Sequence, residues 1–147
     1  MTRKFLVLLA AALVVSPALA QPKKSLYERL GGESAIRTVV DDFVALTSAN
    51  PKVDFTRGGQ YKMSDAKLLQ LKGSLVDFLT QAFGGPARYK GGSMKDVHAG
   101  MRITRAQFDA MAADLQAVLG KHGVPKAELE EVMKIAASTA PDIVEAQ

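Results

Sequence analysis

Cysteine and tryptophan are both absent from this 147-residue chain, and histidine occurs only twice. The absence of cysteine excludes disulfide bonds, thiolate catalysis, and zinc or iron–sulfur sites held by cysteine. A domain without such cross-links must be held together by packing, by a bound cofactor, or by both. Any chemistry that needs an imidazole must therefore use His98 or His122.

Strand patterns, internal repeats and low-complexity segments are also missing from the sequence. The glycine pairs at 84–85 and 91–92 do not form a phosphate-binding loop, because no strand precedes them and no Gly-Lys-Ser/Thr follows. Charged residues are scattered, with no basic block and no interleaved aromatic residues, so we expect no nucleic-acid partner.

The first 20 residues have the anatomy of a secretory signal peptide. A basic start is followed by an apolar run over residues 5–15, too short to span a bilayer comfortably, and Ala18-Leu19-Ala20 is a small-x-small cleavage site. Cleavage would lower the formal net charge from +4 to +2, because residues 1–20 carry two basic residues and no acid. We predict a cleaved signal peptide (1–20), one domain (21–147) and a periplasmic or secreted protein without stable membrane association. A retained membrane anchor is the alternative.

Hydrophobic periodicity predicts an all-α domain of five or six helices with glycine-rich joints. Ser25 with Glu28, and Thr104 with Gln107, are capping boxes that start two of them, and Ser64 can cap another. Residues 52–63 are predicted as a loop, and the last helix is predicted from Pro125 to about residue 137.

The predicted apolar stripes follow helical spacing. They are Ile36, Val39, Val40, Phe43 and Val44; Leu68, Leu71, Leu75, Phe78, Leu79 and Ala82; Phe108, Met111, Ala112, Leu115, Val118 and Leu119; and Leu129, Val132, Met133 and Ala136.

His98 is predicted on a short helical turn that Ser93 caps, on one face with Met94, Val97 and Met101. A partly buried structural histidine is the commoner outcome for such a position. His98 cannot build a zinc site alone, because no second histidine or cysteine lies near it in sequence. One imidazole is sufficient where a macrocycle already supplies four ligands to iron, as in haem.

Several motifs occur in an order that resembles the group-one truncated haemoglobins, the short two-over-two globins. They span residues 25–137 and are Leu26-Tyr27-Glu28-Arg29-Leu30-Gly31-Gly32, Phe78-Leu79-Thr80-Gln81-Ala82-Phe83-Gly84-Gly85-Pro86, Tyr89-Lys90-Gly91, Met94-Lys95-Asp96-Val97-His98-Ala99-Gly100-Met101, Ile103-Thr104 and Phe108-Asp109.

The resemblance implies a two-over-two helical sandwich that binds haem b, with His98 as the axial iron ligand. It implies that Phe55, in the loop after the second helix, packs against the porphyrin. The other residues that it places at the haem are Val44, Leu71, Leu75, Phe78, Tyr89, Met94 and Met101.

The distal positions depart from the family pattern. Many members carry a tyrosine after the phenylalanine of the second helix and glutamines on the distal helix, where this chain has Val44, Leu71 and Leu75. Loss of a charge-assisted hydrogen bond, about 1.5–3 kcal/mol, would weaken oxygen retention roughly ten- to a hundredfold. Gln70, Lys72, Thr47 or Tyr61 could restore a donor if the register differs, and Lys72 could act as a sixth iron ligand.

The signal-peptide pattern and the resemblance together imply an exported globin that binds oxygen, nitric oxide or carbon monoxide at a five-coordinate iron. Nitric-oxide detoxification is a candidate reaction and would need an unidentified reductant. Two alternatives stay open on the sequence alone: a six-coordinate haem protein for electron transfer, and a cofactor-free helical module that binds a partner.

Overall fold

A computed structural model describes residues 23–86 and 89–146, and the predicted signal peptide lies outside them. The described chain forms seven helices, one more than the upper prediction, and no strand. They are α1 (Leu26–Arg29), α2 (Gly32–Ala49), α3 (Asp65–Ala82), α4 (Met94–His98), α5 (Arg105–Lys121), α6 (Lys126–Ser138) and α7 (Ala140–Ile143). No helix among these is long and apolar enough to cross a membrane.

The helix starts are those that the capping residues predict. The Ser25 hydroxyl accepts the Glu28 N–H at 3.2 Å, and the Glu28 carboxylate accepts the Ser25 N–H at 2.8 Å. Thr104 and Gln107 form the same reciprocal pair before α5. Each box satisfies two N–H groups that a helix terminus would otherwise leave free, which fixes where the chain enters the helix.

The long helices pack as two pairs, with α2 on α3 and α5 on α6, and contacts between α2 and α5 join the pairs. This arrangement is the predicted two-over-two sandwich. Its main apolar core, the first cluster, consists of Leu26, Ile36, Val40, Val44, Val76, Phe83, Leu115, Leu119 and Val132. A smaller second cluster, formed by Phe108, Ala140 and Ile143, lies around α5 and α7.

The predicted stripe of α3 is wrong at three positions. Val76 and Thr80 are buried, at 3% and 0% exposure, whereas Ala82 is exposed. Val76 and Thr80 are four residues apart and therefore share a face, so this row is the most deeply buried part of α3. Leu68, Leu71, Leu75, Phe78 and Leu79 are only half-buried.

The prediction that the helix after Pro125 is the last one is also wrong. Pro125 caps α6 rather than lying in its first turn. A further short helix, α7, begins at Ala140 and has Pro141 in its first turn, a position where the missing proline N–H costs nothing.

Helix α1 is held against both helix pairs. Its Tyr27 N–H donates to the Phe83 carbonyl at the end of α3, at 2.8 Å. On the other side, Arg29 binds Glu128 at 2.8 Å and also contacts Glu131, both on α6. A Cβ at Gly85 would lie 2.6 Å from the Tyr27 ring and 2.7 Å from the Thr80 methyl group, so only glycine fits this joint.

We predict opposite effects for two glycine-to-alanine substitutions. Gly85→Ala should lower the free energy of unfolding by about 1–3 kcal/mol, because the added methyl group overlaps Tyr27 and Thr80. Gly120→Ala should raise it by about 0.5–1 kcal/mol, since alanine favours the helix and its Cβ meets nothing within 4 Å. Urea unfolding followed by circular dichroism measures both, and equal effects would contradict the packing at Gly85.

Candidate functional site

His98 is the last residue of the five-residue helix α4. Ser93 caps this helix as predicted, because its hydroxyl accepts the Asp96 N–H at 3.1 Å. The helix stops there because the chain turns at Gly100, which has a φ of +77°, a conformation that favours glycine. The imidazole is half-buried at the end of this turn.

One hydrogen bond fixes the tautomer of the imidazole. Nδ1 of His98 lies 2.7 Å from the Met94 carbonyl oxygen. A carbonyl only accepts, so Nδ1 must carry the proton, and the lone pair of a neutral ring then lies on Nε2. This is how proteins commonly orient a histidine that binds a metal.

The surroundings of His98 offer no conventional metal cluster. Within residues 23–86 and 89–146, no group of three or more histidine, cysteine, aspartate or glutamate side chains could hold an ion. A single imidazole is sufficient for a metal that brings its other ligands with it, as iron protoporphyrin does.

Four of the residues predicted to contact a haem lie in or against the two apolar clusters. Val44 is a buried member of the first cluster, and Phe55 and Leu75 pack against it. Met94, four residues before His98, packs against the second cluster and anchors α4 there. The structure therefore places apolar side chains of both clusters among the predicted haem contacts.

Phe78 and Tyr89 join the arm between α3 and α4 to helix α3. Their rings make an edge-to-face contact with centroids 5.5 Å apart, and the Tyr89 N–H donates to the Gln81 side chain at 2.9 Å. Leu71 is half-buried on α3, and Met101 is half-buried just after α4. The roles of these residues toward a haem stay predictions.

The residues that could donate a hydrogen bond to a bound gas if the register differs have different surroundings. Lys72 Nζ lies 2.8 Å from an Asp41 carboxylate oxygen, so its amine is engaged between α3 and α2. Gln70 is exposed and Tyr61 is half-buried. The Thr47 hydroxyl is buried and has no hydrogen-bond partner among the residues that the structure describes.

Asp41 and Asp42 point to different partners, as their 100° separation on a helix requires. Whereas Asp41 meets Lys72, Asp42 accepts from Lys121 and His122, both at 2.9 Å. These two donors hold the pKa of Asp42 below its ordinary value, and Lys121 has the larger effect. The two acids therefore attach α2 to its neighbours and do not form a catalytic pair.

An apolar cavity of about 30 Å³ lies inside the first cluster, lined by residues such as Ile36, Leu79 and Leu115. None of the predicted haem contacts lines it, and its volume is far below that of a porphyrin. The orientation of His98, rather than this cavity, identifies the candidate site.

Sequence reasoning missed two side chains beside this site, Arg57 and Glu145. Arg57 donates to the carbonyl groups of Met101 and Arg102 at 2.9 and 3.2 Å, and Glu145 accepts from Gly100 and Arg102. Each lies more than 40 residues from its partners in sequence, so no local pattern could have indicated them.

Comparisons with known proteins agree with this fold. A family model described as bacterial-like globin matches residues 25–145. The chain is 34% identical over 119 residues to the group 1 truncated hemoglobin GlbN of Mycolicibacterium paratuberculosis, which covers 81% of this chain and 83% of that protein. It is 31% identical to the group 1 truncated hemoglobin of Tetrahymena pyriformis, over 82% of this chain and 95% of that protein.

Solved structures give the same result. The crystal structure of the Fe(III) form of the Tetrahymena pyriformis protein superposes with a TM-score of 0.73 at 33% identity, over 82% of this chain and 98% of that one. The 2/2 hemoglobin of Synechococcus sp. PCC 7002 superposes with a TM-score of 0.69 at 31% identity, over 81% and 95%. The family match, the relatives and the helical sandwich together show that this chain belongs to the bacterial-like globins and, among them, to the group 1 truncated haemoglobins.

Proposed function

We propose that this globin binds haem b through Nε2 of His98 and takes up a diatomic gas at a five-coordinate iron. When bound, iron protoporphyrin supplies the open coordination position at which oxygen, nitric oxide or carbon monoxide binds. The observation that carries the proposal is the 2.7 Å hydrogen bond from His98 Nδ1 to the Met94 carbonyl, since it leaves Nε2 free to bind iron.

The apolar distal side favours nitric oxide and carbon monoxide over oxygen. Bound oxygen carries partial negative charge and depends on a donor, whereas the other two gases depend on it less. Val44 is 1% exposed, and Leu71 and Leu75 are apolar positions of α3. Nothing in these side chains can donate a hydrogen bond, so we expect weak oxygen retention.

The contact between Lys72 and Asp41 argues against the six-coordinate alternative. An amine paired at 2.8 Å with a carboxylate on α2 would have to break that ion pair to reach iron. A low-spin ferric spectrum that Lys72→Ala converts to high spin would support the electron-transfer alternative instead.

Conversion of nitric oxide and oxygen into nitrate would require oxygen to stay bound and an external electron donor to restore ferrous iron. The apolar distal residues disfavour the first requirement. We therefore propose reversible capture of nitric oxide or carbon monoxide as the main activity, with nitrate formation secondary.

We predict that His98→Ala removes the Soret band or sharply weakens haem retention, because the chain loses the imidazole that we propose binds the iron. His122→Ala is the matched control, since the other histidine lies on the surface against Asp42 and its loss should leave the spectrum unchanged. Absorbance spectra of both variants, oxidised and reduced with carbon monoxide, provide the measurement. A wild-type spectrum in the His98 variant would refute the axial assignment.

We predict that Leu71→Gln slows oxygen dissociation by about 10–100-fold, because a donor at this position stabilises the bound gas. Leu69→Gln makes the same change on the same helix at a side chain that is 73% exposed, and it should have no effect. Val44→Tyr adds a donor from α2. Stopped-flow measurement of oxygen dissociation tests all three, and unchanged rates in both Leu71→Gln and Val44→Tyr would mean that the distal assignment is wrong.

We also propose that the protein is exported and that residues 1–20 are removed. The mature chain isolated from the periplasm or medium should begin at Gln21, because cleavage follows Ala18-Leu19-Ala20. Leu8→Arg interrupts the apolar run and should keep the uncleaved chain in the cytoplasm. Amino-terminal sequencing decides between this outcome and a membrane-bound chain that begins at Met1.

A further inference from the structure

The segment after α7 runs beside the turn that follows His98. The N–H groups of Glu145 and Ala146 donate to the Ile103 carbonyl at 2.9 and 3.2 Å, and the Arg105 N–H donates to the Ala146 carbonyl at 3.2 Å. These bonds accompany an isolated parallel bridge between Thr104 and Ala146. They fix the backbone of this tail segment (residues 144–146) against the chain just beyond the axial histidine.

This pairing places the Glu145 carboxylate on the turn itself. One carboxylate oxygen accepts the Gly100 N–H at 2.8 Å, and the other accepts the Arg102 N–H at 2.6 Å. The two N–H groups hold the pKa of Glu145 below its ordinary value, and that of Gly100 has the larger effect. The carboxylate is therefore ionised at neutral pH. Bonds from an ionised acceptor are stronger than neutral ones.

Arg57 binds the same turn at its carbonyl groups. Its Nε donates to the Met101 carbonyl at 2.9 Å and its Nη2 to the Arg102 carbonyl at 3.2 Å. The Arg57 side chain is only 13% exposed, and its bond to Met101 is partly buried. Arg57 lies two residues after Phe55, in the loop between α2 and α3.

The turn needs such support because its backbone is strained. Gly100 and Arg102 have φ values of +77° and +52°, and the second is a conformation that side-chain-bearing residues rarely adopt. A non-glycine residue stays there only when its surroundings hold it. Arg102 is held at its N–H by Glu145 and at its carbonyl by Arg57.

We propose that Glu145 and Arg57 are positioning residues for the axial ligand: together they clamp the turn Gly100–Arg102 and so fix the imidazole of His98. This inference rests on the proposed function, in which His98 binds the iron. A five-residue helix cannot hold its own position, so α4 depends on Ser93 at its start, on Met94 in the second cluster and on this clamp at its end.

The clamp also links two parts of the candidate site that are far apart in sequence. Through Arg57 it connects the turn after His98 to the loop that carries Phe55, the residue predicted to pack on the porphyrin. A shift of that loop would therefore be transmitted to the axial histidine through two hydrogen bonds to carbonyl groups.

The test uses the haem-loaded protein, three single variants of the clamp, the double alanine variant and two control variants. Glu145→Ala and Arg57→Ala remove the two halves of the clamp. Glu145→Gln keeps one acceptor oxygen but turns an amide donor toward a backbone N–H. Its rate of haemin loss should therefore lie between those of the wild type and Glu145→Ala. Matched controls are Glu130→Gln and Arg37→Gln, whose side chains are 64% and 57% exposed in i,i+4 pairs on single helices.

Two readouts separate positioning from general stability. The rate of haemin transfer to an apoglobin scavenger should rise about 10–100-fold in the alanine variants, the range for loss of a group that holds a metal ligand. The iron–histidine stretching band of the ferrous protein, seen by resonance Raman, should shift or broaden. In the double variant Arg57→Ala/Glu145→Ala, the haemin transfer rate should rise by less than the product of the two single-variant factors, because both side chains hold one turn.

The outcomes distinguish the clamp from the axial assignment. Wild-type haemin loss and an unshifted band in both alanine variants would overturn the clamp, even if urea unfolding showed them to be less stable. A wild-type Soret band in His98→Ala would overturn the axial assignment and the clamp with it. Faster haemin loss with a shifted band, alongside unchanged controls, supports the inference.

Discussion

The hydrogen bond between His98 Nδ1 and the Met94 carbonyl is the interaction on which the rest of the site depends. It decides which ring nitrogen carries the proton and therefore which one can bind a metal. Met94 itself packs against the second cluster, so the orientation of the imidazole is fixed by the same residue that anchors α4.

The starts and ends of the main helices could be predicted because short-range chemistry controls them. Ser25 with Glu28 and Thr104 with Gln107 satisfy terminal N–H groups within four residues of chain. The inward face of α3 could not be predicted as well, because Leu, Val and Thr all fit a helix and only the contact with α2 decides which row is buried. Val76 and Thr80 were missed for this reason, and a periodic pattern could not place the four residues of α7.

In the candidate site, too, local sequence features could be predicted and long-range contacts could not. His98 could be singled out because the chain has only two histidines and no cysteine, and because motifs before and after it resemble those of a globin family; its role toward a haem stays a prediction. Arg57 and Glu145 were not identifiable, because each looks like an ordinary surface charge in its local sequence. Their hydrogen bonds are to partners 43 to 45 residues away, which only the packing of loop, turn and tail segment brings together.

The position of Glu145 also separates the support of the long helices from the support of the turn after His98. Helices α1 to α6 are complete by residue 138, yet the carboxylate that accepts from Gly100 and Arg102 belongs to residue 145. A chain shortened after residue 138 would therefore keep every long helix and lose the acceptor that binds this turn.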